Sequence, residues 1–180
     1  MGKIKQGKIL TPLDSVFYQI SESVVSHTNL ILKDYGRKVP PNEGLVYWAG
    51  TRKNNLIKIS TVIAPTTESF PGRVSTTHTS NAKMIKILSF EGLVQIGQVH
   101  SHPSDWVDHS TGDNEWAPFK VLGLLSIVVP EYCQNGLTPL TMCGVHRFDK
   151  HGFIRLSNKY IEERFIITHD IKGNLFDLRS

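Results

Sequence analysis

Residues 93–113 read LVQIGQVHSHPSDWVDHSTGD. Leu93 to Val99 has the character of a strand, and His100 and His102 follow at its end. Side chains alternate along a strand, so residues i and i+2 share a face and the two imidazoles can point at one place. Pro103 stops the strand and turns the chain away. Ten residues separate His102 from Asp113, enough for a loop that folds back and delivers a carboxylate at or just before a helix beginning near Asn114. Two neutral imidazoles and a carboxylate form a three-ligand set for zinc. Three protein ligands leave a fourth position for water, which separates a catalytic site from a structural one. Ser110 places a hydroxyl three residues before the aspartate.

The surrounding chain has the composition of an ordinary soluble globular domain. Hydrophobic content is 39% and charged content 20% over 180 residues, which fits one domain with a real core. Twenty Lys and Arg against sixteen Asp and Glu give a net charge of +4. The basic residues are scattered, without the clustered face that nucleic-acid binding needs, so no nucleic-acid partner is expected. The first fourteen residues lack a signal-peptide core, and no apolar run reaches a membrane span. A cytoplasmic protein without membrane contact is the expectation. Cys133 and Cys143 form no CxxC pair and read as buried thiols in a reducing compartment.

Several elements follow from pattern. Residues 8–10 read as a short leading strand. Thr11-Pro12-Leu13-Asp14 reads as a helix start, with Leu13, Phe17, Ile20, Val24 and Ile31 at helical spacing and an end near Gly36. Residues 43–49 and 55–63 read as a hairpin around Thr51-Arg52-Lys53-Asn54. Residues 65–80 read as a long polar loop. Ser80 is the expected cap of a helix through Glu91, with Met84, Ile85 and Leu88 as its apolar face. Leu122 to Val129 is a nearly continuous apolar run, suited to a strand buried on both faces. Residues 139–148 and 153–156 read as strands, Ser157 as the start of a short helix through Arg164, and the tail as edge strands. The pattern is α+β, a single domain with a mixed β-sheet flanked by helices.

Hydrolysis at a metal also needs a proton acceptor. Glu43 is the leading candidate, because it starts the apolar stretch EGLVYWA. Asp105 and Asp108, inside the loop, are rival bases or loop-shaping groups. Trp106 and Trp116 flank the loop as core anchors or site walls. His109 is expected beside the site or exposed, and not as a ligand. His27, His146, His151 and His169 have no partner spacing.

Glu43, then His-Ser-His, seven residues that begin with Pro103 (103–109), then Ser-x-x-Asp together resemble the JAMM signature of the JAB/MPN zinc metalloproteases. The element order is also similar to that fold, which belongs to the cytidine-deaminase-like architectures. The resemblance implies that His100, His102 and Asp113 bind Zn2+. It implies that Glu43 is the general base toward zinc-activated water and that Ser110 stabilises the oxyanion. The stretches GQVHSHPSDWVDHS and GLLSIVVPEY look like stand-alone bacterial members encoded beside ubiquitin-like conjugation enzymes. That likeness implies a deubiquitinase-like isopeptidase that cleaves after the C-terminal glycine of a ubiquitin-like protein. Its partners would be that protein's conjugates and the E1- and E2-like enzymes of the same pathway. Segment 65–80 falls at the family's first insertion. Gly44-Leu45-Val46-Tyr47-Trp48 departs from the Cys-Gly-Leu-Leu-Gly run of many bacterial relatives, and the FDLRS tail lies outside the common core. Both leave substrate choice open. The alternatives within the same fold are a non-catalytic MPN-type scaffold and a hydrolase of a sulfur-carrier or amino-acid adduct.

Overall fold

The computed structural model describes residues 15–179, apart from residues 71, 72, 116 and 118. The leading strand expected at 8–10, the helix start expected at 11–14, and Trp116 lie outside the described residues.

Strand β1 (Phe17–Ser21) leads directly into helix α1 (Glu22–Gly36). This corrects the long helix expected from residue 11. Val16, Tyr18 and Ile20 are buried at period two, while Phe17, Ile20 and Val24 also fit helical spacing. Parallel pairing of β1 on both sides decides between the two. Ser21 caps α1 by accepting the Ser23 N–H at 3.2 Å, and Glu22 puts an acid in the first turn.

Strands β2 (Leu45–Lys53) and β3 (Leu56–Ala64) form the expected hairpin, with the turn tightened to Asn54-Asn55 and Asn54 at φ 54°. Segment 65–80 is not a plain loop. It holds a second hairpin, β4 (Thr67–Phe70) and β5 (Arg73–Thr76), followed by α2 (His78–Glu91). Thr77, and not Ser80, caps α2 by accepting the Ser80 N–H at 3.1 Å. Gly92 ends it in the left-handed conformation, φ 65°. Met84 is buried under α2 but Ile85 is exposed, so the apolar face is narrower than expected.

The motif strand is β6 (Val94–Ser101), and α3 (Thr111–Glu115) follows the loop. The apolar run yields β7 (Leu125–Val129), buried at all five positions. Strand β8 (Gly144–Phe148) starts later than expected, because Leu140–Met142 is a 3-10 turn. Strand β9 (Phe153–Arg155) and helix α4 (Asn158–Arg164), capped by Ser157, follow. The tail supplies β10 (Phe165–Thr168) and β11 (Asn174–Asp177).

Nine of these strands form one mixed sheet in the order β10-β1-β3-β2-β6-β7-β8-β9, with β11 also on β3. Strand β1 pairs with residues 56–59 of β3 and β11 with 61–64, end to end along one side. Register shifts near Trp48, Ala49 and Gly50 curl the sheet. Alternation on β2 divides the core. Val46 and Trp48 pack on the α1 side, where the Trp48 Nε1–H donates to Thr28 Oγ1 at 2.9 Å. Leu45, Tyr47 and Ala49 pack on the other side with Met84 of α2. The result is an α+β fold with helices on both faces of a curled sheet. No helix among the described residues is long and apolar enough to cross a membrane.

Candidate metal centre

Strand β6 pairs antiparallel with β2 and parallel with β7, setting Leu45 opposite His100 and His100 opposite Val128. The two histidines therefore emerge at the centre of the sheet, on the α2 side, where β6 ends. Both are buried. Their Nε2 atoms lie 3.2 Å apart.

Asp113 reaches them from α3. Ser110 caps this short helix: its Oγ accepts the Asp113 N–H at 3.0 Å, and Asp113 Oδ2 accepts the Ser110 N–H at 2.7 Å. This reciprocal pairing is a capping box, so the Ser-x-x-Asp spacing first serves to build a helix end. The turn aims the carboxylate at the histidines, with Oδ1 3.2 Å from His100 Nε2 and Oδ2 3.3 Å from His102 Nε2.

These atoms suit a metal. Zinc–nitrogen bonds of about 2.0–2.1 Å in a tetrahedron imply ligand–ligand edges of about 3.3–3.4 Å, close to the 3.2–3.3 Å found. Proton positions agree. His102 Nδ1 is 2.9 Å from the Trp106 carbonyl oxygen, which can only accept. The proton of a neutral His102 is thus on Nδ1, and its Nε2 lone pair faces the carboxylate. Acceptors facing acceptors call for a cation or a proton between them. His100 Nδ1 is buried without a hydrogen-bond partner, so the polar contacts of that ring, to Asp113 and His102, are all made through Nε2. His100, His102 and Asp113 are the group of ligand-type side chains that converges among the described residues; neither cysteine belongs to it. Both thiols are buried and unpaired with each other, and burial pushes them up to about 11 for Cys133 and about 12 for Cys143.

Glu43 is buried and lines the same cavity, of about 390 Å³, with His100, His102, Ser110 and Asp113. Burial raises its carboxyl above the ordinary value; the two histidines partly offset this, and Asp113 adds to it. Ser101 supports the approach to β2. Its Oγ accepts the Gly44 N–H at 3.0 Å, and its own N–H donates to the Gly44 carbonyl at 3.0 Å. Burial opposes protonation of His102, but hydrogen bonds to Asp113 and Trp106 outweigh it and hold its pKa up. Burial also acts against Asp113, yet the histidines keep its carboxyl far below the usual range.

The rival carboxylates stand apart. Asp105 and Asp108 are exposed and line no part of this cavity, and Asp108 pairs with Arg155. Trp106 is a wall of the cavity, stacked on His102 with ring centroids 5.3 Å apart and half-exposed. His109 and His146 were the less obvious residues. His146 is buried and stacks on His109 at 4.0 Å. Burial first, then His146, lowers His109 to about 4. The available sequence signal was a histidine inside the apolar strand GVHRF, and it carries no spacing that links it to residue 109.

Comparison with protein-family models and with curated proteins gives no match. Among solved structures, the solution structure of protein DSY2949 from Desulfitobacterium hafniense is similar, with a TM-score of 0.62 at 18% sequence identity. The match covers 86% of this chain and 94% of that one. A likeness at this identity speaks for the fold alone.

Proposed function

We propose that this chain is a zinc metallopeptidase of the JAB/MPN (JAMM) type. It acts as an isopeptidase or peptidase on the glycine-terminated tail of a ubiquitin-like protein. The observation that carries the reading is the company Glu43 keeps. A desolvated carboxylate shares one cavity with a converging His-His-Asp set and a capping serine. A structural metal site has no use for such a base.

His100, His102 and Asp113 would hold the ion, which when bound supplies a Lewis acid that acidifies water and polarises a carbonyl. Glu43 accepts a proton from the attacking water and returns it to the leaving amine. Its raised pKa brings it nearer the pH at which such a shuttle works best. Ser110 Oγ already accepts the Asp113 N–H, which leaves its own O–H to donate to the oxyanion as charge develops. Such a donor contributes about 3 kcal/mol to the transition state. Val74 of β5 and Leu45 add apolar lining beside Trp106, a setting for an extended tail without large side chains.

A ubiquitin-like fusion ending in Gly-Gly-aminocoumarin tests the reading. Release of the fluorophore should require Zn2+ and disappear in Glu43→Ala. Release that survives that substitution, or survives chelation, would overturn it.

A further inference from the structure

A polar row crosses the sheet beneath the centre. Tyr47 lies opposite Gln98, Gln98 opposite Ser126, Ser126 opposite His146, and His146 opposite Arg155. Gln98 shares the face of His100, two residues on, and lines the cavity, so the row leads outward from the cavity along the sheet. Ser126 is fully buried within five buried residues of β7, and a hydroxyl there needs partners. It has two: Gln98 Nε2 at 3.2 Å and His109 Nε2 at 2.9 Å.

The direction of each bond follows from its neighbours. The Asn114 Nδ2 donates to the Ser110 carbonyl at 3.3 Å, which fixes that amide's orientation. Asn114 Oδ1 therefore faces His109 Nδ1, at 3.1 Å, and accepts its proton. His109 Nε2 then carries a lone pair, and the Ser126 O–H donates to it. Ser126 Oγ in turn accepts from the Gln98 amide. The ring is also held between His146 and the edge of Phe153, 4.8 Å away.

His109 and Asn114 bracket the Ser110–Asp113 capping box. We propose that His109 is the positioning residue of the centre: one ring, bonded at both nitrogens, pins the turn that carries Ser110 and Asp113 to Ser126 on the sheet. The proposal rests on the reading of Asp113 as a metal ligand, but its mechanical part does not need the ion. The turn is otherwise a five-residue helix on a long loop, and a carboxylate displaced by an ångström no longer closes the tripod.

Two measurements on wild type, His109→Ala, His109→Gln and Ser126→Ala decide it. The first is hydrogen exchange of the metal-free proteins. His109→Ala should lower protection of the Ser110 and Asp113 amides at least about tenfold while β6 and α2 keep theirs. The second is Zn2+ affinity by competition with a chromophoric chelator. It should fall about 10–100-fold in His109→Ala and in Ser126→Ala. His109→Gln, which keeps one donor and one acceptor, should recover most of both losses. Should His109→Ala fail to fold, the Gln and Ser126 variants carry the same comparison. Unchanged exchange at Ser110 and Asp113 overturns the proposal. Absence of Zn2+ uptake by the wild type overturns the metal reading instead, and the exchange measurement still decides the role of His109.

Discussion

Nδ1 of His102 sits 2.9 Å from the carbonyl oxygen of Trp106, and that contact decides which nitrogen faces Asp113. With the proton committed to Nδ1, the Nε2 lone pair and the Asp113 carboxylate repel unless a positive charge lies between them. Zinc should therefore stabilise the fold, by about 2.7 kcal/mol at a hundredfold excess over its dissociation constant. Thermal or urea melts with and without Zn2+ measure this. His102→Ala should lose the increment. An equal zinc-dependent gain in that variant would place the ion elsewhere.

The roles proposed for Glu43 and for the His100, His102 and Asp113 ligand set can be separated experimentally. Glu43→Gln keeps the shape of the cavity and removes the base, so Zn2+ binding should persist while turnover falls by about 10²–10⁴. The same substitution has a stability signature. The folded carboxyl binds its proton more tightly than the unfolded one, so its contribution falls as pH rises through the window above the ordinary carboxylate value. Glu43→Gln should thus leave the metal-free protein at least as stable as wild type at pH 7. A marked loss of stability there would show that Glu43 is structural.

The part of the fold legible in the sequence was the part whose period is local. His100 and His102 at i and i+2, stopped by Pro103, announce their strand. The run at Leu122–Val129 announces a strand buried on both faces, and both strands appear, the second over Leu125–Val129. The start of α1 is ambiguous in the sequence because Ile20 and Val24 satisfy both periods, and only the neighbours of β1, at 56–59 and 165–168, resolve it. Segment 65–80 reads as a loop because its composition is polar, yet Thr67 and Val74 are β-formers on either side of Pro71-Gly72. The convergence of His100, His102, Asp113 and Glu43 is legible because one motif names them together. Ser126 and His146 are not, since the row that leads from the site joins positions 98, 126, 146 and 155 by register alone.

His109 makes the metal-free fold sensitive to mild acid. Its pKa is lowered to about 4, mainly by burial and then by His146, while an unfolded histidine titrates near 6.5. Between those values the unfolded chain holds more protons, so stability rises with pH and is lost as pH falls from 6.5 toward 4. The contribution is on the order of 3 kcal/mol when complete. His146 is depressed in the same sense. His102 is raised and acts oppositely, stabilising below 6.5 and fading above. Asp113 is held low, so its contribution fades only below the usual carboxylate range. His109→Gln removes one of these groups alone. Urea melts in chelator should show wild type losing about 2–3 kcal/mol more than the variant between pH 7 and 4.5. Parallel losses would show that His109 is protonated in the folded state.

Gly144 tests how the motif loop is seated. It opens β8, and a Cβ there would collide with the carbonyl oxygen of Val107 and crowd the His146 ring. Val107 is the residue after Trp106, whose own carbonyl holds His102. Gly144→Ala must therefore push the loop outward or bend β8. Overpacking of this kind costs about 1–3 kcal/mol, and here the displacement reaches the hydrogen bond between Trp106 and His102, one of the proposed ligands. Zn2+ affinity should drop about tenfold or more, as when a supporting hydrogen bond is removed. Gly92→Ala is the matched control. It sits at φ 65° with open space around it, so it should cost about 1 kcal/mol through the backbone alone. Its Zn2+ affinity should not change. Urea melts and chelator competition on the two variants distinguish the cases. Equal affinities would mean that the loop holds His102 without leaning on β8.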